Sequence, residues 1–249
     1  MSTKIAVIGG TGLYSMMDDF EMTRQEIINT PYGEASGPLV FGLLQGKEVA
    51  FLARHGFTHR LPPHRINYLA NIWMLKKAGI EKILSVNAVG SINDNCSPEN
   101  LVIPDQIIDY SWGREHTFYA EDLTRVVHID FTHPYSETLR KTLIQAGKNS
   151  SLNLVERAVY GCTQGPRLET AAEVKRLAND GCDLIGMTGM PEASLAREIS
   201  IEYASISVVA NWAAGFNGDV ISMEQIEFHM QKGMEKVEAL ISEAVRIMG

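Results

Sequence analysis

Short runs of β-branched and other apolar residues, separated by segments of helical length, restrict this chain more than any other feature. Ile5-Ala-Val-Ile8, Val49-Ala-Phe-Leu52, Lys82-Ile-Leu-Ser-Val-Asn87 and Ala204-Ser-Ile-Ser-Val-Val-Ala210 are largely continuous rather than alternating. That is the pattern of strands covered on both faces. Between them lie segments 65–78, 134–146, 169–179, 192–198 and 222–248, each suited to a helix. Strands alternating with helices predict an α/β fold, with a mixed, mostly parallel, twisted central sheet flanked by helices. The 249 residues fit a single domain over 1–249, near the upper end of what one α/β unit contains.

The final segment is the clearest helix. Ser222 followed by Gln225 resembles a capping box, and Ile226, Met230, Gly233, Val237, Leu240, Ile241, Ala244 and Val245 keep near-helical spacing. Segment 93–131, with Pro98, Pro104 and Gly113, predicts long irregular excursions.

A formal net charge of -8 argues against a polyanion-binding surface, which needs clustered Lys and Arg, so nucleic acid is not an expected partner. A small anion can still be bound where a few cations are focused in a cleft. Cys96, Cys162 and Cys182 have neither metal-ligand spacing nor an even count for disulfides, which suits a reducing cytoplasm. No stretch reaches the length of a membrane span.

The first strand runs into Gly9-Gly10-Thr11-Gly12-Leu13, a turn whose backbone N–H groups can converge on an anion. A dinucleotide fingerprint would require glycine or alanine where Ser15 stands. It would also require an acidic residue after the second strand, where Arg54-His55 follows. A reductase built on this turn therefore lacks two of its parts, whereas Thr11 adds a hydroxyl donor suited to phosphate.

Two further strand ends carry polar turns. Arg54 and His55 precede Gly56, and His59, Arg60, His64 and Arg65 follow; a guanidinium at a strand end suits bidentate phosphate recognition, while His64 reads as a solvated loop residue. Asn87-Ala88 leads into Val89-Gly90-Ser91. In parallel α/β sheets, ligands gather at the carboxyl ends of the strands, so these turns are expected to converge.

Gly9-Gly-Thr-Gly-Leu13, Arg54-His-Gly56, Asn87-Ala-Val-Gly-Ser91, Gly165-Pro-Arg-Leu-Glu-Thr170, Gly186-Met-Thr-Gly-Met-Pro-Glu192 and Asn211-Trp-Ala-Ala-Gly215 occur in this order. The set resembles the trimeric purine nucleoside phosphorylase and methylthioadenosine phosphorylase family over nearly the whole chain. The resemblance implies a homotrimer, inorganic phosphate as co-substrate, and neither metal nor organic cofactor. It places phosphate at Thr11, Arg54, His55, Ala88 with Asn87 beside it, and Thr188. It places the ribose hydroxyls at the main chain of Met187, and the purine at Leu168, Glu169, Asn211, Trp212 and Ala213. Leu168 stands where the family usually carries an aromatic residue, which implies weaker stacking. At the 5′ end of the nucleoside the resemblance places Met223, with His59 and a neighbouring subunit's copy of His128 lining the same end.

In the reaction so implied, phosphate is the nucleophile, so no Ser or Cys nucleophile is needed. The departing purine needs a donor at N7, and the amide of Asn211 can serve N7 and a 6-oxo group together. Glu169 can accept the N1 hydrogen of a 6-oxopurine, whereas an ionised carboxylate repels the N1 lone pair of adenine. With Ala213 in place of the second Asp of the methylthioadenosine enzymes, and with soft, apolar Met223, a 6-oxopurine carrying a 5′-methylthio ribose is the expected substrate. Methylthioadenosine and inosine or guanosine are the alternatives. Plain structural roles stay open as well: Glu169 as a first-turn carboxylate of a helix, Asn211 as a turn former and Met223 as a core residue of the last helix.

Overall fold

A computed structural model describes residues 4–10, 20–121, 124–218 and 221–248 of the chain. Thr11, expected in the phosphate set, lies outside the described residues. The strands are β1 (Ile5–Gly9), β2 (Glu21–Glu26), β3 (Leu39–Leu44), β4 (Lys47–Ala53), β5 (Lys82–Ser91), β6 (Leu101–Val102), β7 (Gln106–Asp109), β8 (Leu154–Val155), β9 (Val159–Cys162), β10 (Leu184–Gly186) and β11 (Glu202–Trp212). The helices are α1 (Tyr68–Lys77), α2 (Glu137–Asn149), α3 (Ala171–Asn179), α4 (Gly189–Glu198) and α5 (Met223–Ile247).

Among the described residues, all eleven strands join one mixed sheet. Its main path is β2-β3-β4-β1-β5-β10-β9-β7, and β11 adds to β5 while β6 and β8 follow on β11. The centre is parallel: β1 pairs with β4 and β5, and β5 with β11. These are the four runs read from sequence as buried strands. The other strands are shorter, more polar or broken by glycine, and their signal merges with that of loops. Segment 93–131 is irregular for most of its length but contributes β6 and β7, a correction to the reading of it as excursions alone.

One apolar layer packs residues of α1 and α4, among them Leu69, Ile72, Leu75 and Leu195, against Ile8, Leu52 and Ile83 of the sheet. A second packs Leu139 and Leu143 of α2 and Val237, Leu240 and Ile241 of α5 against Val7, Leu84 and Ile206. Helix α5 approaches β11 closely at Gly233, where a Cβ would collide with the side chain of Val208. Its start differs from expectation, because Ser222 makes no side-chain capping bond. The capping box lies instead at α3, where Thr170 and Glu173 exchange bonds across the first turn.

Candidate active site

The parallel register aligns the carboxyl ends of β1, β4, β5 and β11 on one edge of the sheet. Arg54, just after β4, donates its backbone N–H to the carbonyl of Gly9 at 2.8 Å. Strand β10 enters from the opposite direction: Leu184 faces Ser91 and Ile185 faces Gly90. Continuing past Gly186, the chain therefore turns Met187 and Thr188 toward the Ala88 end of β5. Sequence alone did not show this antiparallel strand, yet it is what carries the 186–192 motif to the other turns.

Arg54 is 1% exposed, and its guanidinium is held on three sides. Nε and Nη2 donate to the two oxygens of Glu192 at 2.7 and 2.8 Å, Nη1 donates to the Val86 carbonyl at 2.9 Å, and Nη2 to Ser85 Oγ at 2.6 Å. The bidentate edge expected to grip phosphate is thus engaged by Glu192, and these four bonds leave one N–H of Nη1. Burial alone would lower the pKa of Arg54; the charge and hydrogen bonds of Glu192 outweigh it and hold the group above its ordinary value. Glu192 also accepts from Ser85 at 2.8 Å and from the Tyr203 hydroxyl at 2.9 Å. Both its oxygens are therefore satisfied without solvent.

Asn87 belongs to the same polar column. Its amide donates to Ser205 Oγ at 2.9 Å and accepts from Ser207 Oγ at 2.8 Å, so its side chain ties β5 to β11. Ala88 is exposed and offers its main chain instead. Ser85, Ser205 and Ser207 escaped the sequence reading. Their signal was the small polar residue at every second position of two otherwise apolar runs, the same face of each strand.

His55 donates from or accepts at Nδ1 with the Leu61 carbonyl at 2.7 Å; since a carbonyl only accepts, Nδ1 carries the proton and Nε2 holds a lone pair when the ring is neutral. The ring lies against the first glycine turn, 3.3 Å from where a Cβ on Gly10 would sit, and 4.5 Å from the ring of His59. Burial pushes the His55 imidazole down to about 4, opposed by the Leu61 carbonyl and reinforced by Arg54 and His59. Thr188 is buried at the start of α4, and its N–H donates to the Tyr160 hydroxyl at 3.3 Å. Gly186 makes room for that phenol, because a Cβ there would collide with the Tyr160 hydroxyl.

The second half of the site forms around Glu169 and Asn211. Glu169 precedes the Thr170 cap of α3, so the first-turn role considered for it is overturned. One of its oxygens accepts from the Thr163 hydroxyl at 2.6 Å, and the Thr163 N–H is bonded to the Gly186 carbonyl at 2.8 Å. Asn211 sits beside a bulge in β11, opposite Gly90, and donates to the Trp212 carbonyl at 2.6 Å. Gly90 leaves space for it: a Cβ there would be 3.6 Å from both Asn211 Nδ2 and Ala213 Cβ. Gly215, at φ +74, abuts Ala171, so the turn after β11 touches the turn that carries Glu169. Asn211, Gly90, Ile185 and Gly161 follow one another across neighbouring strands. At about 4.8 Å per strand, Asn211 and the 185–186 backbone lie about 10 Å apart along the sheet, with Gly90 of β5 between them.

Met187 lies with its Sδ over Gly165, Trp212 stacks on Phe216 at 5.5 Å, and Leu168 is exposed. Met223 is 63% exposed at the first turn of α5, so it is not a core residue of that helix. His128 is exposed, beside Val126 and Val127, which are exposed too. Among the described residues no cluster of His, Cys, Asp or Glu could hold a metal ion, and no helix is long and apolar enough to cross a membrane.

The model of the Phosphorylase superfamily matches residues 4–246. The chain belongs to that family. It is 52% identical over 240 residues to a probable S-methyl-5′-thioinosine phosphorylase of Pseudomonas syringae pv. tomato, covering 96% of this chain and 97% of the relative. It is 44% identical over 252 residues to the 6-oxopurine nucleoside phosphorylase of Pyrococcus furiosus, covering 98% and 93%. Among solved structures, methylthioadenosine phosphorylase from Schistosoma mansoni in complex with adenine matches with a TM-score of 0.93 at 32% identity, over 99% of this chain and 92% of that one. In this phosphorylase the glycine turn after β1 falls within the family match, which leaves the dinucleotide-reductase reading without support.

Proposed function

We propose that this phosphorylase cleaves the N-glycosidic bond of S-methyl-5′-thioinosine with inorganic phosphate, releasing hypoxanthine and 5-methylthioribose 1-phosphate. The observation that carries the 6-oxopurine part is the hydrogen bond from Thr163 to Glu169. It occupies one carboxylate oxygen with a donor and leaves the other oxygen to accept N1–H of the base. The relatives named as thioinosine and 6-oxopurine phosphorylases support the same substrate class.

In the proposed reaction a phosphate oxygen forms the new bond to the anomeric carbon as the bond to the purine nitrogen breaks, and the bonding pair leaves with the purine. Asn211 donates toward N7 of the departing base while Glu169 holds N1–H. Phosphate lies among the Gly9–Gly10 turn with Thr11, the remaining Arg54 N–H, His55, the Ala88 main chain and Thr188, with Asn87 anchoring that strand. Catalysis follows from placing the two reactants and stabilising charge, with no protein nucleophile, metal or organic cofactor. Met187 meets the ribose hydroxyls by its main chain. Exposed Met223, with His59 and His128 of a neighbouring subunit, receives the methylthio end of the nucleoside in a homotrimer. Three free, buried cysteines suit a cytoplasmic protein.

The test compares kcat/KM for methylthioinosine, methylthioadenosine and inosine at saturating phosphate. Methylthioinosine is expected to lead. Preference for methylthioadenosine, or hypoxanthine release that does not depend on phosphate, would defeat the proposal.

A further inference from the structure

The irregular segment after β7 contains a cation that no motif singled out. Arg114 donates Nε to Gln164 Oε1 at 3.2 Å, Nη1 to the carbonyls of Met187 at 2.9 Å and Met190, and Nη2 to the carbonyls of Thr163 at 3.2 Å and Gln164 at 2.9 Å. Nη1 also reaches the Tyr68 hydroxyl at 3.4 Å. None of these acceptors is a carboxylate. Its five N–H groups are all directed at protein atoms, so the guanidinium is not a ligand-binding group.

The four carbonyls belong to two turns. Thr163 and Gln164 open the turn that leads to Glu169, and the Thr163 hydroxyl holds the Glu169 carboxylate. Met187 and Met190 bracket Thr188 at the start of α4. One turn meets the base and the other meets ribose and phosphate. A planar fork with fixed donors can bind both at a set separation, which a flexible ammonium cannot reproduce. The Met187 side chain over Gly165 is a second contact between the same turns.

We infer that Arg114 is a positioning residue that sets the distance between the purine-binding turn and the ribose-phosphate turn. The inference rests on the function proposed above. Phosphate attack requires the nucleophile and the leaving base to be held in line, and a shift of about 1 Å costs about 10²-fold in rate. Arg114 acts through backbone carbonyls and touches neither reactant.

The experiment measures kcat at saturating methylthioinosine and phosphate for Arg114→Ala and Arg114→Lys, normalised to folded protein by circular dichroism, without additive and with millimolar guanidinium or methylammonium. Hypoxanthine affinity is measured alongside by fluorescence titration. Arg114→Ala is expected to lose about 10²-fold in kcat and to recover about tenfold with guanidinium but not with methylammonium. Arg114→Lys, which keeps the charge and loses the fork, is expected to fold and to share most of the loss. Normal kcat per folded molecule in either variant, or a loss in Arg114→Ala that guanidinium leaves unchanged, would overturn the inference. A wild-type protein without phosphate-dependent hypoxanthine release would instead overturn the function on which it rests.

Discussion

Replacing Glu192 by Gln tests how the buried cation at this site is held. Arg54 and Glu192 are each 1% exposed, and four donors converge on the two carboxylate oxygens. Gln has one oxygen. Oriented to keep the bonds from Arg54 Nη2, Ser85 and Tyr203, it turns its NH2 toward the Nε–H of Arg54, so a donor faces a donor and a full charge loses its counter-ion. Removing one partner of a buried pair costs about 3–5 kcal/mol, a large part of the roughly 5–15 kcal/mol that holds a folded protein together. Taking a urea dependence near the top of the range of about 1–3 kcal/mol/M, the unfolding midpoint should fall by about 1–2 M. Adding Arg54→Met to Glu192→Gln removes the stranded charge while Gln still accepts from Ser85 and Tyr203. The double variant should therefore regain about 1–3 kcal/mol over the single one. Urea titrations of both variants by circular dichroism read these shifts. A Glu192→Gln protein with the wild-type midpoint, or a double variant no more stable than the single, would refute the account of Arg54 as a cation dependent on Glu192.

Two further perturbations probe the site's ends. An unfolded histidine titrates near 6.5, whereas folded His55 titrates at about 4, so between these values the unfolded chain holds more protons and stability falls as pH drops from 6.5 toward 4, by up to about 1.4 kcal/mol per pH unit. His55→Gln should flatten this part of the urea-midpoint profile, and an unchanged slope would assign it to other groups. Asn211→Asp combined with Ala213→Asp should shift kcat/KM toward methylthioadenosine by about 10-fold or more, since a protonated Asp donates to N7 and a second carboxylate meets the 6-amino edge. No shift in a comparative substrate assay would place recognition of the purine edge elsewhere.

Local sequence was enough for the central strands, because β1, β4, β5 and β11 are buried on both faces and so are written as unbroken apolar runs. It was enough also for the motifs, since glycine turns and strand-end polar residues stand out against such runs. What it could not determine was direction and partnership. Strand β10 is three residues long and antiparallel to β5, and nothing within Leu184–Gly186 states that it runs opposite to its neighbour, yet that reversal brings Thr188 and Glu192 to Arg54. The pairing of Arg54 with Glu192 spans 138 positions, and Arg114 reaches carbonyls 49 to 76 positions away. Backbone carbonyls leave no mark in an amino-acid sequence, so a side chain that binds mainly to them is invisible until the chain is folded. Residue identity determined which chemistry was possible at this site; tertiary structure alone decided which donors the fold itself consumes and which remain for a ligand.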